Sequence, residues 1–287
     1  MNKCFCLVVL FLILSCISCS PKKNTNVKKV EVITTNEDLN KKLIECLNKN
    51  DFEKAEYWLS MGANPNILYK NQSLLSYSTF KNWTDFSITL IDYGADVNWV
   101  DPKDHVTVFS NVIYKNNIIL GKYLLEHDVD LTYLNYSGHN YFEESILDKH
   151  QEDNPFYLDY RFTYLLLNNS KMLEVLRKDK NIIYTIIRNW SSEMPHIIKL
   201  IYGNEYVFPD EPPVLLISIS ENESEALKYF ISCGVTIDKE YYYPELKQSI
   251  KPIDFAESYY NEILYNQGEN SIYTEKIRKI CDLLYEK

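Results

Sequence analysis

The chain alternates short apolar runs with polar turns, and the apolar residues within each run follow helical spacing. Runs such as FEKAEYWLSMG, ILGKYLLEHD and SEALKYFISCG place bulky side chains three or four positions apart and stop at glycine or aspartate. This spacing predicts amphipathic helices that end at a residue able to adopt a left-handed backbone. The pattern therefore predicts an all-α protein built from short helices.

The helix stops recur at a nearly constant interval. Gly62 and Gly94 are 32 residues apart, and Gly94 and Asp128 are 34 apart. Three copies share an apolar residue 19 positions before the glycine and an asparagine seven positions after that residue: Leu43 and Asn50, Leu75 and Asn82, Leu215 and Asn222. Phe109 and Asn116 repeat the second interval in a fourth copy. A period near 33 residues predicts an array whose units bury their apolar faces by stacking on their neighbours.

The residues at the shared positions suit helix ends. Four asparagines follow the first helix of a unit: Asn50, Asn82, Asn116 and Asn222. We predict that they begin tight turns, because asparagine tolerates the left-handed backbone better than any residue except glycine. Ser73 and Thr107 stand two residues before Leu75 and Phe109. Their hydroxyls are predicted to cap the N-termini of those first helices.

Two short antiparallel helices and a projecting loop, repeated about every 33 residues, resemble the ankyrin repeat. The family's Thr-Pro-Leu-His-x-Ala motif is degraded at residues 73–78, 107–112 and 251–256, and its Gly-Ala-Asp-x-Asn ending is intact at residues 94–98. The resemblance implies an all-α ankyrin-repeat solenoid of about six to seven repeats over residues 38–287. Residues from about 150 to 205 depart from the pattern, so an insertion and one irregular helix pair over residues 182–202 are expected there.

The amino-terminal sequence predicts that the protein is exported from the cytoplasm. Residues 1–20 read MNKCFCLVVLFLILSCISCS, with one lysine, a short apolar run and then small residues, which is typical of a secretory signal. The stretch ending at Cys19 resembles a bacterial lipobox, which implies that residues 1–18 are removed and that Cys19 is acylated; Cys16 is the alternative site. Residues 19–37 are polar and lysine-rich and are expected to form a flexible tether. The mature protein is therefore expected to be lipid-anchored in the bacterial cell envelope, at the periplasmic face or the outer surface.

Composition narrows the classes of partner. The formal net charge is −10 and no basic block occurs, so binding to nucleic acid is disfavoured. Beyond the signal segment only Cys46, Cys233 and Cys281 remain, each within an apolar helical pattern. Their odd number and wide spacing argue against a disulfide framework and predict buried thiols.

No motif for catalysis stands out in the sequence. A glycine-rich phosphate loop, a His-Glu-x-x-His pair and a Gly-x-Ser-x-Gly elbow are all absent from the chain. His139, Glu143, Glu144 and His150 lie close enough in sequence to suggest a metal site, but a solvated surface is the simpler interpretation. We therefore expect no enzyme activity, no metal, no cofactor and no small-molecule substrate.

The loops between repeats carry the candidate binding residues, because an ankyrin array projects them as fingers. Four aromatic residues fall in these segments: Tyr69, Trp99, Tyr133 and Tyr136. Asp101, Lys103 and Asp104 share a finger with Trp99. Aromatic side chains dominate the energetics of protein interfaces, so these residues form a candidate protein-binding surface. The competing interpretation is that the rings pack on neighbouring fingers, and for Tyr69 packing is the favoured one.

The resemblance implies a lipid-anchored protein that binds another protein through its concave helix face and its fingers. A narrower alternative is a membrane-held immunity or inhibitor protein that neutralises a toxin or a periplasmic enzyme. The sequence also allows a metal-dependent enzyme that uses His139 and its acidic neighbours, and an adhesin that faces a host.

Overall fold

The computed structural model describes residues 35–147 and 159–286. Three predicted features lie outside the described residues: the signal peptide, both candidate lipidation sites and almost all of the tether. The central part of the predicted insertion also lies outside them. The first helix begins at Asn36 with Thr35 as its N-cap. This helix therefore includes the last two residues of the segment that the sequence assigns to the tether.

Within the described residues, the chain folds into seven helix pairs. The first three pairs are α1 (Asn36–Leu47) with α2 (Phe52–Ser60), α3 (Leu74–Phe80) with α4 (Thr84–Asp92), and α5 (Val108–Tyr114) with α6 (Ile118–Leu125). The fourth is α7 (Tyr141–Ile146) with α8 (Arg161–Leu167), followed by one additional helix, α9 (Ser170–Lys178). The last three are α10 (Ile182–Arg188) with α11 (Met194–Tyr202), α12 (Val214–Ser220) with α13 (Ser224–Ser232), and α14 (Pro252–Gln267) with α15 (Ile272–Tyr285).

The pairs stack in a row, so that like helices contact one another. Helix α5 packs between α3 and α7, and α12 packs between α10 and α14, which forms one row of first helices. Helix α6 packs between α4 and α8, and α13 contacts α15, which forms a second row. One continuous apolar core runs through the stack and includes Leu43, Leu75, Phe109 and Leu215. The fold is thus the all-α solenoid of helix-turn-helix repeats that the sequence predicts.

Between residues 159 and 202 the chain forms four helices, although the repeat pattern of the sequence is lost there. Helix α8 contacts α6 and α7. It therefore completes the fourth repeat, although residues 148–158 separate it from α7 in the sequence. Two helices, α10 and α11, occupy residues 182–202, where an irregular pair was expected, and α11 packs on α8 and α9. Helix α9 packs against α8 and α11 and has no counterpart in the other repeats of the described chain.

The turns carry the backbone conformations that their residues predicted. The four asparagines after the first helices all have positive φ: Asn50 at 54°, Asn82 at 59°, Asn116 at 48° and Asn222 at 59°. The second helices stop in the same way, with φ of 98° at Gly62 and 85° at Gly94. Both predicted caps are also confirmed, because the Ser73 and Thr107 hydroxyl oxygens accept hydrogen bonds from the N–H groups of Ser76 and Ser110.

The helix stop at Gly94 satisfies carbonyl groups that the helix leaves unpaired. The N–H of Gly94 donates to the Ile91 carbonyl at 2.9 Å, and the N–H of Ala95 donates to the Leu90 carbonyl at 2.9 Å. This pair of bonds is a Schellman motif, which needs a left-handed residue at the first position after the cap. The opening turn of the second finger is therefore fixed by the left-handed conformation of Gly94.

Two fingers end in short antiparallel hairpins that the sequence did not predict. Strand β1 (Leu68–Tyr69) pairs with β2 (Gln72–Ser73), and β3 (Tyr241–Tyr243) pairs with β4 (Gln248–Ile250). Lys70 and Asn71 both have positive φ, which allows the two-residue turn between β1 and β2. The three cysteines of the described chain form no disulfide. Cys46 is buried and Cys281 half-buried, but Cys233 is exposed, so the prediction of a buried thiol is wrong at Cys233.

Candidate protein-binding surface

Tyr69 lies in the hairpin between the first two helix pairs, and its side chain is only 5% exposed. Its hydroxyl donates a hydrogen bond to the side-chain oxygen of Asn48 at 2.8 Å. Its ring meets the Tyr77 ring edge to face, with the centroids 4.9 Å apart. Tyr69 therefore belongs to the packing of its finger and offers little free surface to a partner.

The second finger is shaped by Asp101. One oxygen of this carboxylate accepts hydrogen bonds from the backbone N–H groups of Lys103 and Asp104, at 2.8 and 3.1 Å. The Asp101 N–H donates to the Val106 carbonyl at 2.9 Å, and Val100 and Thr107 pair across the base of the finger. Asp101 is thus a turn-forming residue. The side chains of Lys103 and Asp104 stay exposed at the tip, 3.9 Å apart as an ion pair.

Trp99 lies at the base of the same finger. Its side chain is half-buried and packs against the apolar core. Its carbonyl accepts a hydrogen bond from the N–H of Val108 at 3.4 Å, where the next first helix begins. The ring is therefore only partly accessible to a partner.

The third finger is joined to the second. The Tyr133 hydroxyl donates a hydrogen bond to the His105 carbonyl at 2.9 Å. Its ring stacks on that of Tyr141, with the centroids 6.2 Å apart, and burial raises the pKa of the Tyr133 hydroxyl. Tyr136 is 86% exposed, and its ring centroid lies 6.0 Å from that of His105. The two fingers thus form one hydrogen-bonded unit that presents an open tyrosine.

The structure divides the predicted binding residues into three groups. Lys103, Asp104 and Tyr136 are exposed; Trp99, Asp101 and Tyr133 are half-buried; Tyr69 is buried. The exposed residues come from neighbouring fingers. We call Lys103, Asp104 and Tyr136 the finger patch.

The acidic residues beside His139 make structural hydrogen bonds. The Glu144 carboxylate accepts hydrogen bonds from the Ser110 hydroxyl at 2.8 Å and the Asn135 amide at 2.9 Å, and burial raises the pKa of Glu144. Glu143 closes a capping box with Asn140 and accepts a hydrogen bond from the Thr185 hydroxyl at 2.6 Å. No three His, Cys, Asp or Glu side chains of the described residues are grouped so that they could hold a metal ion. His150 lies outside the described residues.

The sequence did not single out an aromatic cleft of about 420 Å³ beside the fifth helix pair. Five rings line it, from α10, the end of α11, the segment that follows α11 and strand β3: Tyr184, Tyr202, Tyr206, Phe208 and Tyr242. The Tyr202 and Tyr206 rings stack with centroids 4.5 Å apart, and Phe208 meets Tyr206 edge to face at 5.2 Å. Burial raises the pKa of the Tyr184 and Tyr202 hydroxyls, which therefore remain hydrogen-bond donors at neutral pH. The cleft is large enough to receive side chains of a partner.

The row of first helices also exposes two rings that the sequence did not single out. Phe80 is 44% exposed at the end of α3, and Tyr114 is 70% exposed at the end of α5. Each is followed by a lysine, and the two dipeptides Phe80-Lys81 and Tyr114-Lys115 are 34 residues apart. This interval equals the local repeat period, so the dipeptides were a signal that the sequence contained.

Among the helices described, none is both long enough and apolar enough to cross a membrane. No protein-family model matches the chain. A fowlpox virus (strain NVSL) protein, the putative ankyrin repeat protein FPV234, is 36% identical to this chain over 87 residues. The match covers 29% of this chain and 19% of the viral protein, so the chain spans about a fifth of the length of that relative.

A solved structure gives a second comparison. The crystal structure of the human ASB11 ankyrin repeat domain is 15% identical in sequence and has a TM-score of 0.49. The alignment covers 82% of this chain and 95% of that domain. The described helix pairs form a repeat solenoid, and over part of its length the chain is similar in sequence to an ankyrin-repeat protein.

Proposed function

We propose that this protein binds another protein through its fingers and the exposed side chains of its first helices, and that it has no catalytic activity of its own. The observation that carries the proposal is the finger patch, in which Tyr136 is exposed on the finger next to the one that presents the ion pair of Lys103 and Asp104.

The patch is supported by a rigid frame. The Tyr133 hydroxyl ties the third finger to the second, and the Asp101 carboxylate holds the tip of the second finger in its turn. A surface that is ordered before binding loses less conformational entropy when a partner docks. An exposed tyrosine on such a frame is the kind of residue that contributes most to binding energy.

We further propose that the protein is held in a bacterial cell envelope by acyl chains on Cys19, with Cys16 as the alternative site. The lipobox resemblance in the amino-terminal sequence supports this proposal. Labelled palmitate should be incorporated into the wild-type protein and lost in Cys19→Ala. Retained label in Cys19→Ala and its loss in Cys16→Ala would move the anchor to Cys16.

Affinity capture with the intact protein tests the binding proposal. The wild-type protein should retain a defined partner from native membranes, and Tyr136→Ala should reduce the amount retained. Tyr57→Ala removes an exposed tyrosine from α2, in the row of second helices, and serves as the matched control. Equal capture by both variants and the wild type would contradict the assignment of the finger patch. A single partner that is inactivated at one-to-one stoichiometry would identify the protein as an inhibitor.

A further inference from the structure

Lysine side chains and aromatic rings alternate along the second helix pair. The Nζ of Lys70 lies 5.1 Å from the ring centroid of Tyr69 and 5.0 Å from that of Tyr77. The Nζ of Lys81 lies 5.6 Å from the ring centroid of Tyr77 and 5.8 Å from that of Phe80. The Tyr77 ring thus lies near two ammonium groups, those of Lys70 and Lys81. These distances are within the range at which a cation is attracted to the face of a ring.

The alternation continues into the third helix pair. The Nζ of Lys115 lies 4.8 Å from the ring centroid of Phe80 and 4.9 Å from that of Tyr114. Phe80 therefore links Lys81 of one repeat to Lys115 of the next. We call the whole series the lysine–aromatic row: Tyr69, Lys70, Tyr77, Lys81, Phe80, Lys115 and Tyr114.

The three ammonium groups have no carboxylate partner among the residues that the structure describes. None of Lys70, Lys81 and Lys115 takes part in the ion pairs of these residues. The Lys70 ammonium donates a hydrogen bond to the Tyr77 hydroxyl at 3.0 Å, which raises the pKa of Lys70. The row thus places three lysine side chains close together on a chain whose formal net charge is −10.

Helix capping explains only part of this arrangement. Lys81 and Lys115 are the C-cap residues of α3 and α5, where the helix dipole favours a positive charge. Capping does not require a ring on each side of the ammonium group, nor a third lysine in the hairpin turn. The rings also restrict the lysine side chains, so less side-chain entropy remains to be lost on binding.

We propose that the lysine–aromatic row binds an acidic segment of a protein partner that also carries an aromatic side chain. Carboxylates of the segment would pair with the three ammonium groups, and its ring would pack on the solvent-exposed parts of the Phe80 and Tyr114 side chains. This assignment rests on the proposed protein-binding function and names the chemistry of the partner for the first-helix side of that surface.

The charge of the whole molecule favours a protein partner over a nucleic acid. Aromatic rings beside lysines also suit stacked bases. Nucleic-acid binding, however, depends on many phosphate contacts and on a positive field around the molecule, whereas this chain carries a formal net charge of −10. A short acidic segment needs only the local complementarity that the row supplies.

The test uses the full-length chain in detergent and a fluorescent peptide that alternates glutamate and tryptophan. The peptide should bind, and added salt should weaken binding because the ion pairs are exposed. The K70Q/K81Q/K115Q variant should bind about tenfold more weakly, as expected for the loss of three exposed ion pairs. Tyr114→Leu should also weaken binding, because it removes one of the exposed rings of the row.

Two controls decide whether the row is responsible. K122Q/K171Q/K199Q makes the same change in net charge at exposed lysines outside the row and should bind like the wild type. Equal weakening in both triple variants would overturn the assignment, because net charge alone would then account for the effect. Thermal melting of each variant verifies that it is folded.

Two further outcomes would also overturn the proposal. One is a preference for single-stranded oligodeoxythymidylate over the peptide, and the other is the absence of any peptide binding. If the peptide fails to bind while the finger patch still governs partner capture, the acidic-segment assignment fails and the proposed function stands. Loss of both would remove the proposed function as well.

Discussion

The side chain of Asn98 joins its own repeat to the loop at Asp130 in the next repeat. Its Oδ1 accepts a hydrogen bond from the Asp130 N–H at 2.7 Å, while its Nδ2 donates to the Asp128 carbonyl at 3.0 Å. Asn66 makes the same two bonds one repeat earlier, to Asp96 and Gly94. The asparagine that ends the Gly-Ala-Asp-x-Asn motif is therefore a clamp between successive fingers.

The series of clamps ends where the repeats lose their regularity. Thr132 stands where an asparagine would continue the series, and its hydroxyl donates instead to the carboxylate of Asp130 in its own finger. The next finger is held by other contacts, such as the amide of Asn135 on Glu144. Each repeat thus depends on its neighbours through polar as well as apolar contacts.

Asn98→Ala should lower the free energy of unfolding by about 1–2 kcal/mol, because it removes two hydrogen bonds between repeats. Urea unfolding followed by circular dichroism measures the change. Asn204→Ala is the control, since Asn204 is exposed in a finger and its side chain makes no hydrogen bond within the part of the chain that the structure describes. An equal loss in both variants would refute the clamp.

Gly94→Ala should destabilise the protein by about 1 kcal/mol through backbone strain. The φ of Gly94 is 85°, and an added Cβ would meet no atom within 4 Å, so crowding makes no contribution. Asn50 also has a positive φ, of 54°, and Asn50→Gly relieves any strain there. Asn50→Gly should therefore be close to neutral in the same urea titration. A neutral Gly94→Ala would show that this helix stop tolerates a side chain.

Gly121→Ala should be destabilising for a different reason. An added Cβ would lie 2.6 Å from the Phe162 ring and 3.1 Å from the Leu165 side chain, at the contact between α6 and α8. Crowding in a packed core typically costs about 1–3 kcal/mol. The double variant with Phe162→Leu should recover part of the loss in thermal melting. If Phe162→Leu recovers none of the stability, the destabilisation by Gly121→Ala does not arise from this contact.

The pH dependence of stability should include a contribution from Asp159. The Arg161 guanidinium, 2.7 Å away, lowers the pKa of Asp159 from 3.8 to about 2, and the Asn116 amide donates to the same carboxylate at 2.6 Å. Because the folded-state pKa is depressed, the stabilisation is complete above the unfolded-state value and is lost as pH falls from about 4 to about 2.

Asp159→Asn should thus be less stable than the wild type at neutral pH by about 1 kcal/mol, and the difference should shrink as pH falls through that window. Chemical unfolding at a series of pH values measures the difference. A gap that stays constant down to pH 2 would contradict the assignment.

The features that were predicted correctly from the sequence are determined by single residues and their near neighbours in the chain. The asparagines and glycines of the turns and the hydroxyls of Ser73 and Thr107 act within a few residues of their own position, so their identity nearly determines their conformation. Periodic leucines likewise identified the core, because a helix face is defined by local spacing.

Other features depend on segments that are distant in sequence. The aromatic cleft combines rings from four separate elements, and α8 is separated from α7 in the sequence by residues 148–158. Packing was the favoured interpretation for Tyr69, but its partners Asn48 and Tyr77 belong to different helix pairs and were not predicted. No local pattern distinguishes the half-buried Tyr133 from the exposed Tyr136 in the same finger.

If the stacked helix pairs present their fingers and first helices to a protein partner, the bound partner must shield those segments from solvent. Hydrogen–deuterium exchange of the full chain, with and without the captured partner, measures this shielding. We expect slower exchange on binding in residues 99–107, in residues 133–139 and at the ends of α3 and α5. Protection confined to α2, α4 and α6, with the fingers unchanged, would contradict binding through the fingers.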